Sequence, residues 1–362
     1  MTVLEPKLLH HGEHVRTEYA PLPGEKEGPM GRSTDQERTD GHAVGIVKRF
    51  KKKERLNVRP MAVGWIKAIY KDAIEYTGMT RELRGTGFMI AMLGGPMILG
   101  GAVLPGIWLP LRIISDADHP WYVDLLGWVI LPLVGLVFAA IALRGIILPG
   151  VHADLFPPSD QPILFDRRHR KVYCLMREVQ LDRRNLLKPW PIIACEYDWD
   201  LIDAEHQADD MATGATVGRY HHLMFAVRKS ADDPTIIDSF SIGNANMLSE
   251  TLVPAMWEHI RRFMEEDGPH LPTPSEPLAD LDAPPGWWAS VGATGVFGPG
   301  YIERWKKQPG FMLFMHIAFP ITLPMFLLWG TGNWLSYKTA VAVDWPEEVK
   351  QAVGEATARG AD

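Results

Sequence analysis

The sequence predicts an α+β membrane protein: a transmembrane helical hairpin, a β-rich domain closed by a C-terminal capping helix, and a third apolar membrane segment. Three observations lead there. Residues 85–111 and 125–143 are uncharged apolar runs parted by a short acidic loop. Residues 150–268 break into short β-branched and aromatic runs between turn formers, followed by a stretch with helical period. Residues 308–337 again hold no Asp, Glu, Lys or Arg. A bilayer core about 30 Å thick takes roughly 20 apolar helical residues to cross. A helix satisfies its own backbone where no water reaches it, and soluble helices usually keep the polar face these runs lack.

With 362 residues the chain has room for two or three units of domain size. Its net charge of −7 gives no case for general nucleic-acid binding. Cys174 and Cys195 form no CxxC and no metal-spaced set, and read as thiols of a reducing compartment. The N-terminus lacks the apolar core of a signal peptide, so the first apolar helix is expected to direct insertion.

Residues 1–60 are expected to be a flexible basic tail, too poor in large apolar side chains to offset the entropy of ordering. Its His10, His11 and His14 offer a metal no fixed geometry. The cluster Lys48-Arg49-Phe50-Lys51-Lys52-Lys53-Glu54-Arg55 serves as attraction to anionic headgroups, about 1 kcal/mol per basic residue near the surface, and as a signal for the cytoplasmic side. Residues 61–84 read as an amphipathic interfacial helix gathering Trp65, Ile66, Ile69, Ala73 and Tyr76 on one side. Packing of that helix against the folded domain is the alternative.

Within the hairpin, residues 85–148, Gly87, Ala91 and Gly95 recur every four residues, as do Gly135 and Ala139. Small residues at this spacing let helices approach closely in lipid. Packing of the two helices on each other is their simplest use, and a homo-oligomer seam the other. Trp108, Trp121, Tyr122 and Trp128 gather near the acidic loop as interface anchors. Basic residues flank the N-terminal side and Arg144 the far end, whereas the loop carries Asp116, Asp118 and Asp124 with the single Arg112, which places both ends of the hairpin in the cytoplasm.

In the 150–268 domain, strands are expected at 162–166, 171–176, 192–197, 201–206, 221–228 and 235–242. From Asn246 to Glu266, Leu248, Leu252, Met256, Ile260 and Phe263 keep helical period. Residues 269–286 form a Pro-rich linker. Residues 287–337 form a membrane-associated segment, with Arg304, Lys306 and Lys307 expected as another cytoplasmic flank and Trp329, Trp334 and Tyr337 as aromatic anchors at its end. Pro320 and Pro324 allow a kinked spanning helix or a re-entrant one, and spanning is the preferred reading, leaving a C-terminal tail, 338–362, outside.

Chemistry is sparse. Asp198, Asp200, Asp203, Glu205, His206, Asp209 and Asp210 group carboxylates with a histidine, a pattern for a divalent cation or acid–base work. Carboxylates alternating with apolar residues on a strand more commonly face water. His221 and His222 point to opposite faces of a strand. Arg167, Arg168, Arg170 and Lys171 suit an acidic partner or a phosphate, or simply a solvated turn. No GxSxG, HExxH, Walker loop or placed GxGxxG occurs. His316 is the sole ionisable group inside the membrane runs, which counts against transport. No enzyme, cofactor or metal is expected. The candidate partner-binding residues are Arg167, Arg168, Arg170, Lys171, Asp200, Asp203, Asp209 and Asp210.

The order of antiparallel strands closed by one helix resembles the pleckstrin-homology-like superfold. The segment Pro157-Pro158-Ser159-Asp160-Gln161-Pro162-Ile163-Leu164-Phe165-Asp166-Arg167-Arg168, continuing to Tyr173, carries a second resemblance, with Pro189-Trp190, Asp238–Gly243 and Trp257–Met264. Together they resemble a family of proteobacterial inner-membrane proteins encoded near type VI secretion spike and toxin genes. The resemblance covers roughly residues 85–270. It implies a membrane-anchored immunity or accessory protein whose partner is a cognate toxin, and it supplies no catalytic motif. Two other readings are a lipid-binding or scaffolding module, and a membrane enzyme built on Asp200, Asp203 and His206.

Overall fold

The computed structural model describes residues 7–9, 45–78, 84–113, 120–177, 189–213, 216–242, 249–271, 276–279, 286–294, 297–298 and 301–360. It is an α+β structure with two sheets. A seven-stranded sheet has the order β1-β7-β6-β5-β4-β3-β11, from β1 (Lys7–Leu9), β3 (Ile66–Tyr70), β4 (Ala73–Tyr76), β5 (Ile163–Asp166), β6 (Lys171–Arg177), β7 (Ile192–Asp198) and β11 (Ala356–Arg359). A four-stranded antiparallel sheet has the order β10-β9-β8-β2, from β2 (Gly45–Phe50), β8 (Ile202–Thr213), β9 (Thr216–Arg228) and β10 (Ile236–Ile242).

One core joins the sheets. Ile66, Ile74, Phe165 and Val172 from the larger meet Leu223, Phe225 and Phe240 from the smaller, and Trp257, Ile260 and Phe263 of the helix Leu252–Glu265 close it. Trp257 stacks on Phe50 at 5.5 Å and on Trp199 at 5.9 Å. Each such side chain contributes about 1.5–3 kcal/mol of apolar burial. The opposite face of the larger sheet is covered by Trp345 and Val349, which pack with Tyr70, Tyr173 and Leu175.

Two helical excursions leave this sheet. The first lies between paired neighbours: α1 (Thr86–Ile113) and a second helix, α2, continuous over residues 121–154 apart from two π-helical turns, run between β4 and β5. Gly87 and Gly150 bring the α1 and α2 backbones together, Gly95 lies against Ile147, and Ala91 is buried. The outer face of α2 is left bare, with Leu133, Leu136, Phe138 and Ile141 all more than half exposed. The second excursion comprises α4 (Trp287–Ala293), α5 (Tyr301–Lys307), α6 (Pro309–Ile317) and α7 (Phe319–Thr339), where α3 is the core helix Leu252–Glu265. Two helical stretches, Leu131–His152 and Pro309–Thr339, are long and apolar enough to cross a membrane.

Several expectations are corrected here. Among the described residues 61–78 and 84 there is no interfacial helix: Ile66–Tyr70 and Ala73–Tyr76 are a strand pair, with Ile66, Ala68 and Tyr70 buried on alternate positions. The period of two was concealed because Ile69 and Ala73 also fit a helical face. The 1–60 tail is not wholly loose, since Gly45–Phe50 pairs with β8 and Lys7–Leu9 with β7. His10, His11 and His14 lie outside the described residues. The 338–362 tail is likewise structured: Ala356 pairs with Tyr70 and Arg359 with Ala68. The 269–286 linker is partly pinned, with the Ala279 amide donating to the Ile66 carbonyl at 2.7 Å. The sheet unit therefore gathers strands from outside residues 150–268.

Candidate functional site

The β5–β6 turn is shaped by Asp166, which accepts from the His169 amide at 3.1 Å and holds His169 Nδ1 at 2.6 Å, while Arg170 takes a positive φ of 53°. This turn lies at the strand ends opposite the point where the helices depart, because Tyr76 and Ile163 form the helix-side end of the β4–β5 ladder. The 3₁₀ turn Trp199–Leu201 sits beside it, with the Trp199 amide donating to the Arg170 carbonyl at 2.9 Å.

The basic turn and the acidic run meet there and neutralise each other. Arg170 forms a two-pronged pair with Asp200, at 2.5 and 3.1 Å, and reaches Glu265 at 3.1 Å. The Arg170 hydrogen bond holds the Asp200 carboxyl below the ordinary carboxylate range. Lys171 pairs with Asp198 at 2.5 Å and Glu196 at 3.0 Å. Arg167 turns away to Asp72 at 3.0 Å and lies over the Phe263 ring. Asp203 pairs with Arg228 at 3.1 Å. Arg168 is exposed. Asp209 and Asp210 stand on β8 opposite Tyr220 and Arg219, and their side chains lie outside the described residues.

Three participants, Lys52, Trp199 and Glu265, were not legible in the sequence. Lys52 donates to the Trp199 carbonyl and lies 4.9 Å over its ring; burial pulls its pKa down to about 8 against the pull of Asp200. Trp199 itself is fully buried and donates Nε1–H to Glu265 at 2.6 Å. The one usable signal was an aromatic residue inside the acidic run. Lys52 also brings the basic cluster of residues 48–55 to the rim that carries the β5–β6 turn.

The grouping of Asp200, Asp203 and His206 is not assembled. Asp203 and His206 are three apart on one strand and face opposite sides. Asp203 is exposed, whereas His206 is buried with Nε2 at 2.8 Å from His221 Nδ1. Burial pulls the His206 pKa down to about 4, and the neighbouring His221 adds to this. Among the described residues no group of three or more His, Cys, Asp or Glu is placed to hold a metal ion. Cys174 and Cys195 stand directly opposite each other across the β6–β7 ladder and form no disulfide. A cavity of about 140 Å³ lies between the sheet and the C-terminal segment, lined by Lys67, Glu75, Asp344, Trp345 and Arg359 among others. Its charges already answer one another: Lys67 pairs with Glu75 at 3.3 Å, and Tyr70 donates to Glu75 at 2.8 Å.

No curated protein and no solved structure matches the chain. One family description does, over residues 140–357, from the second membrane-type helix to the last strand. That span is more than half of the sequence, and the chain belongs to the family of unknown function DUF6708.

Proposed function

We propose that this chain is a membrane-anchored binding protein whose two-sheet unit captures a partner protein beside the bilayer. The observation that carries the reading is the pairing of β4 with β5 around a bare apolar helical hairpin. Such an insertion holds the sheets rigidly at the membrane, whereas a mere tether would need no strand pairing. The resemblance in the 157–173 segment directs the partner towards a cognate type VI secretion toxin, with the chain as its immunity or accessory protein. Two sheets sharing one core with a closing helix support a pleckstrin-homology-like architecture for the unit.

The membrane is the bacterial inner membrane and the sheets face the cytoplasm. Support comes from Arg84 before α1 and Arg144 in α2, set against Asp116 and Asp118 between the helices and Asp124 in the first turn of α2, with Arg112 as the one basic residue at that end. The capture surface is the charged rim, where the exposed Arg168 stands beside the Arg170–Asp200 pair; complementary charge there sets partner choice and encounter rate. The test is binding of the full-length protein in detergent to the toxin encoded beside its gene. Submicromolar binding weakened by Arg168→Glu supports the reading. No binding, with unchanged toxin sensitivity when the gene is deleted, refutes it.

A second reading, a lipid-binding or scaffolding module, is favoured by the exposed Lys51 and Lys53 on the same rim. Their distance from the helices means they would engage a second membrane. Flotation of the full-length protein in nanodiscs with anionic vesicles distinguishes the two.

A further inference from the structure

Residues 287–331 form a second antiparallel hairpin centred on Gln308. Trp287 Nε1 donates to Thr331 Oγ1 at 2.9 Å. Nearer the centre, the Phe297 and Phe319 rings meet edge-on at 4.9 Å, and the Tyr301 hydroxyl lies 3.0 Å from His316 Nε2. Trp305 lies 5.3 Å from the same histidine ring. Each successive pair closes on the tip Lys307-Gln308-Pro309.

Both roots of this hairpin are fixed on the sheet side. Ala279 is bonded to Ile66 before it, and Ala356 is paired with Tyr70 after it, so β3 holds both ends. Gly332 packs on Gly85 and Phe88, level with the first turn of α1. From there back to Pro309, the helices α7 and α6 measure roughly 35 Å at 1.5 Å per residue, against a core of about 30 Å. Leu313, Phe314, Ile317 and Ile321 are each more than half exposed along the way. Beyond them the tip turns basic, with Arg304, Lys306 and Lys307 against the single Glu303; the fixed roots on β3 decide its side, against the expectation from charge that these three residues flank the cytoplasm.

A chain that leaves and returns to one side crosses an even number of times. We propose that residues 287–339 cross the bilayer and come back, placing the Arg304–Lys306–Lys307 tip among the anionic phospholipid headgroups of the leaflet opposite the sheets. The inference rests on the membrane reading of the first hairpin and adds a second pair of crossings. Basic side chains at this depth would be costly in hydrocarbon but are at home among phosphates.

The test uses the full-length chain with Cys174→Ala and Cys195→Ala, carrying either Gln308→Cys or Arg168→Cys, in inside-out and right-side-out membrane vesicles. An impermeant maleimide is expected to label the two positions in opposite vesicle types, each with at least a tenfold preference. Labelling of both in the same vesicle type overturns the crossing while leaving the membrane anchor intact. Release of the chain by alkaline carbonate overturns the anchor as well. Trypsin on the native chain gives a check free of substitutions: cleavage after Lys307 should occur in the vesicle type that protects the 167–171 turn. In reconstituted phosphatidylcholine vesicles, adding one-third phosphatidylglycerol should slow Gln308→Cys labelling at least threefold. An unchanged rate overturns the headgroup contact.

Discussion

Tyr76 and Ile163 face each other across the β4–β5 ladder, although the whole first helical hairpin lies between them in the chain. The two helices are thus an insertion into a sheet, and their roots are held by that sheet's own hydrogen bonds. Gly78 donates to Asp160 at 2.9 Å, and Arg84 donates to the Pro158 and Ser159 carbonyls, which tightens the same neck. Motion of the hairpin relative to the sheets would have to break this ladder first.

The helix contact depends on Gly87 and Gly150, because a Cβ on either would sit 2.6 Å from the other's carbonyl oxygen. Backbone cannot yield as a flexible side chain does. Gly87→Ala should cost about 1–3 kcal/mol by forcing α1 and α2 apart. Gly94→Ala, whose Cβ meets nothing within 4 Å, should be neutral or slightly stabilising in thermal denaturation in detergent.

Asp154 caps α1 from the neighbouring helix, accepting from the Gly85 and Phe88 amides at 2.7 Å each. These are orphan donors of a helix start. Asp154→Ala should lower stability by roughly 1–2 kcal/mol, and Asp154→Asn, which keeps one acceptor, should recover part of that in the same melting assay.

Glu258 is fully buried and takes bonds from Arg261 at 2.8 Å, Arg262 at 2.6 Å and the Leu56 amide at 3.1 Å. Burial pushes its pKa up, but the two arginine bonds outweigh this and hold it below the ordinary value. Glu258→Ala removes the bonds from Arg261 Nε and Nη2 and leaves the buried Arg261 with Glu266, at 2.7 Å, as its remaining carboxylate, so it should cost about 1–3 kcal/mol. Recovery of a folded, cooperatively melting Glu258→Ala protein with unchanged stability would contradict the packing described.

His259 is buried against the Tyr76 hydroxyl at 2.5 Å, and burial pulls its pKa down to about 4; His206 is lowered to a similar value. Both sit below the ordinary value near 6.5, so the fold prefers them neutral. That contribution is complete above about pH 6.5 and is lost as pH falls towards 4. Stability in detergent should decline over this window, by on the order of 1–2 kcal/mol from His259 alone at pH 5. Replacing His259 with Gln should flatten that part of the profile.

Legibility in the sequence followed distance along the chain. The uncharged runs announced α1 and α2, and the period of Leu252, Met256, Ile260 and Phe263 announced the closing helix, since both signals are local. The β5–β6 hairpin was equally local, its turn marked by Asp166 and three basic residues. Ile66–Tyr70 was missed because its partners are Ala73–Tyr76 and the remote Ala356–Arg359, and its short pattern fits two periods. Gly45–Phe50 was concealed by its own lysine and arginine, which stay outward while Phe50 joins the core. The charged residues of the candidate site could be listed from sequence. Their mutual pairing could not, because Arg170 and Asp200 meet only once β6, β7 and the Trp199 turn are stacked side by side.

The claim at the centre is that both helical excursions leave one sheet and come back to it, so that its strands share a single face of the membrane. Cysteine accessibility at Arg168→Cys and Glu355→Cys, in sealed vesicles of one orientation, tests this most directly. The account predicts that both positions react with an impermeant reagent from the same side. Reaction of Glu355→Cys from the opposite side would contradict it.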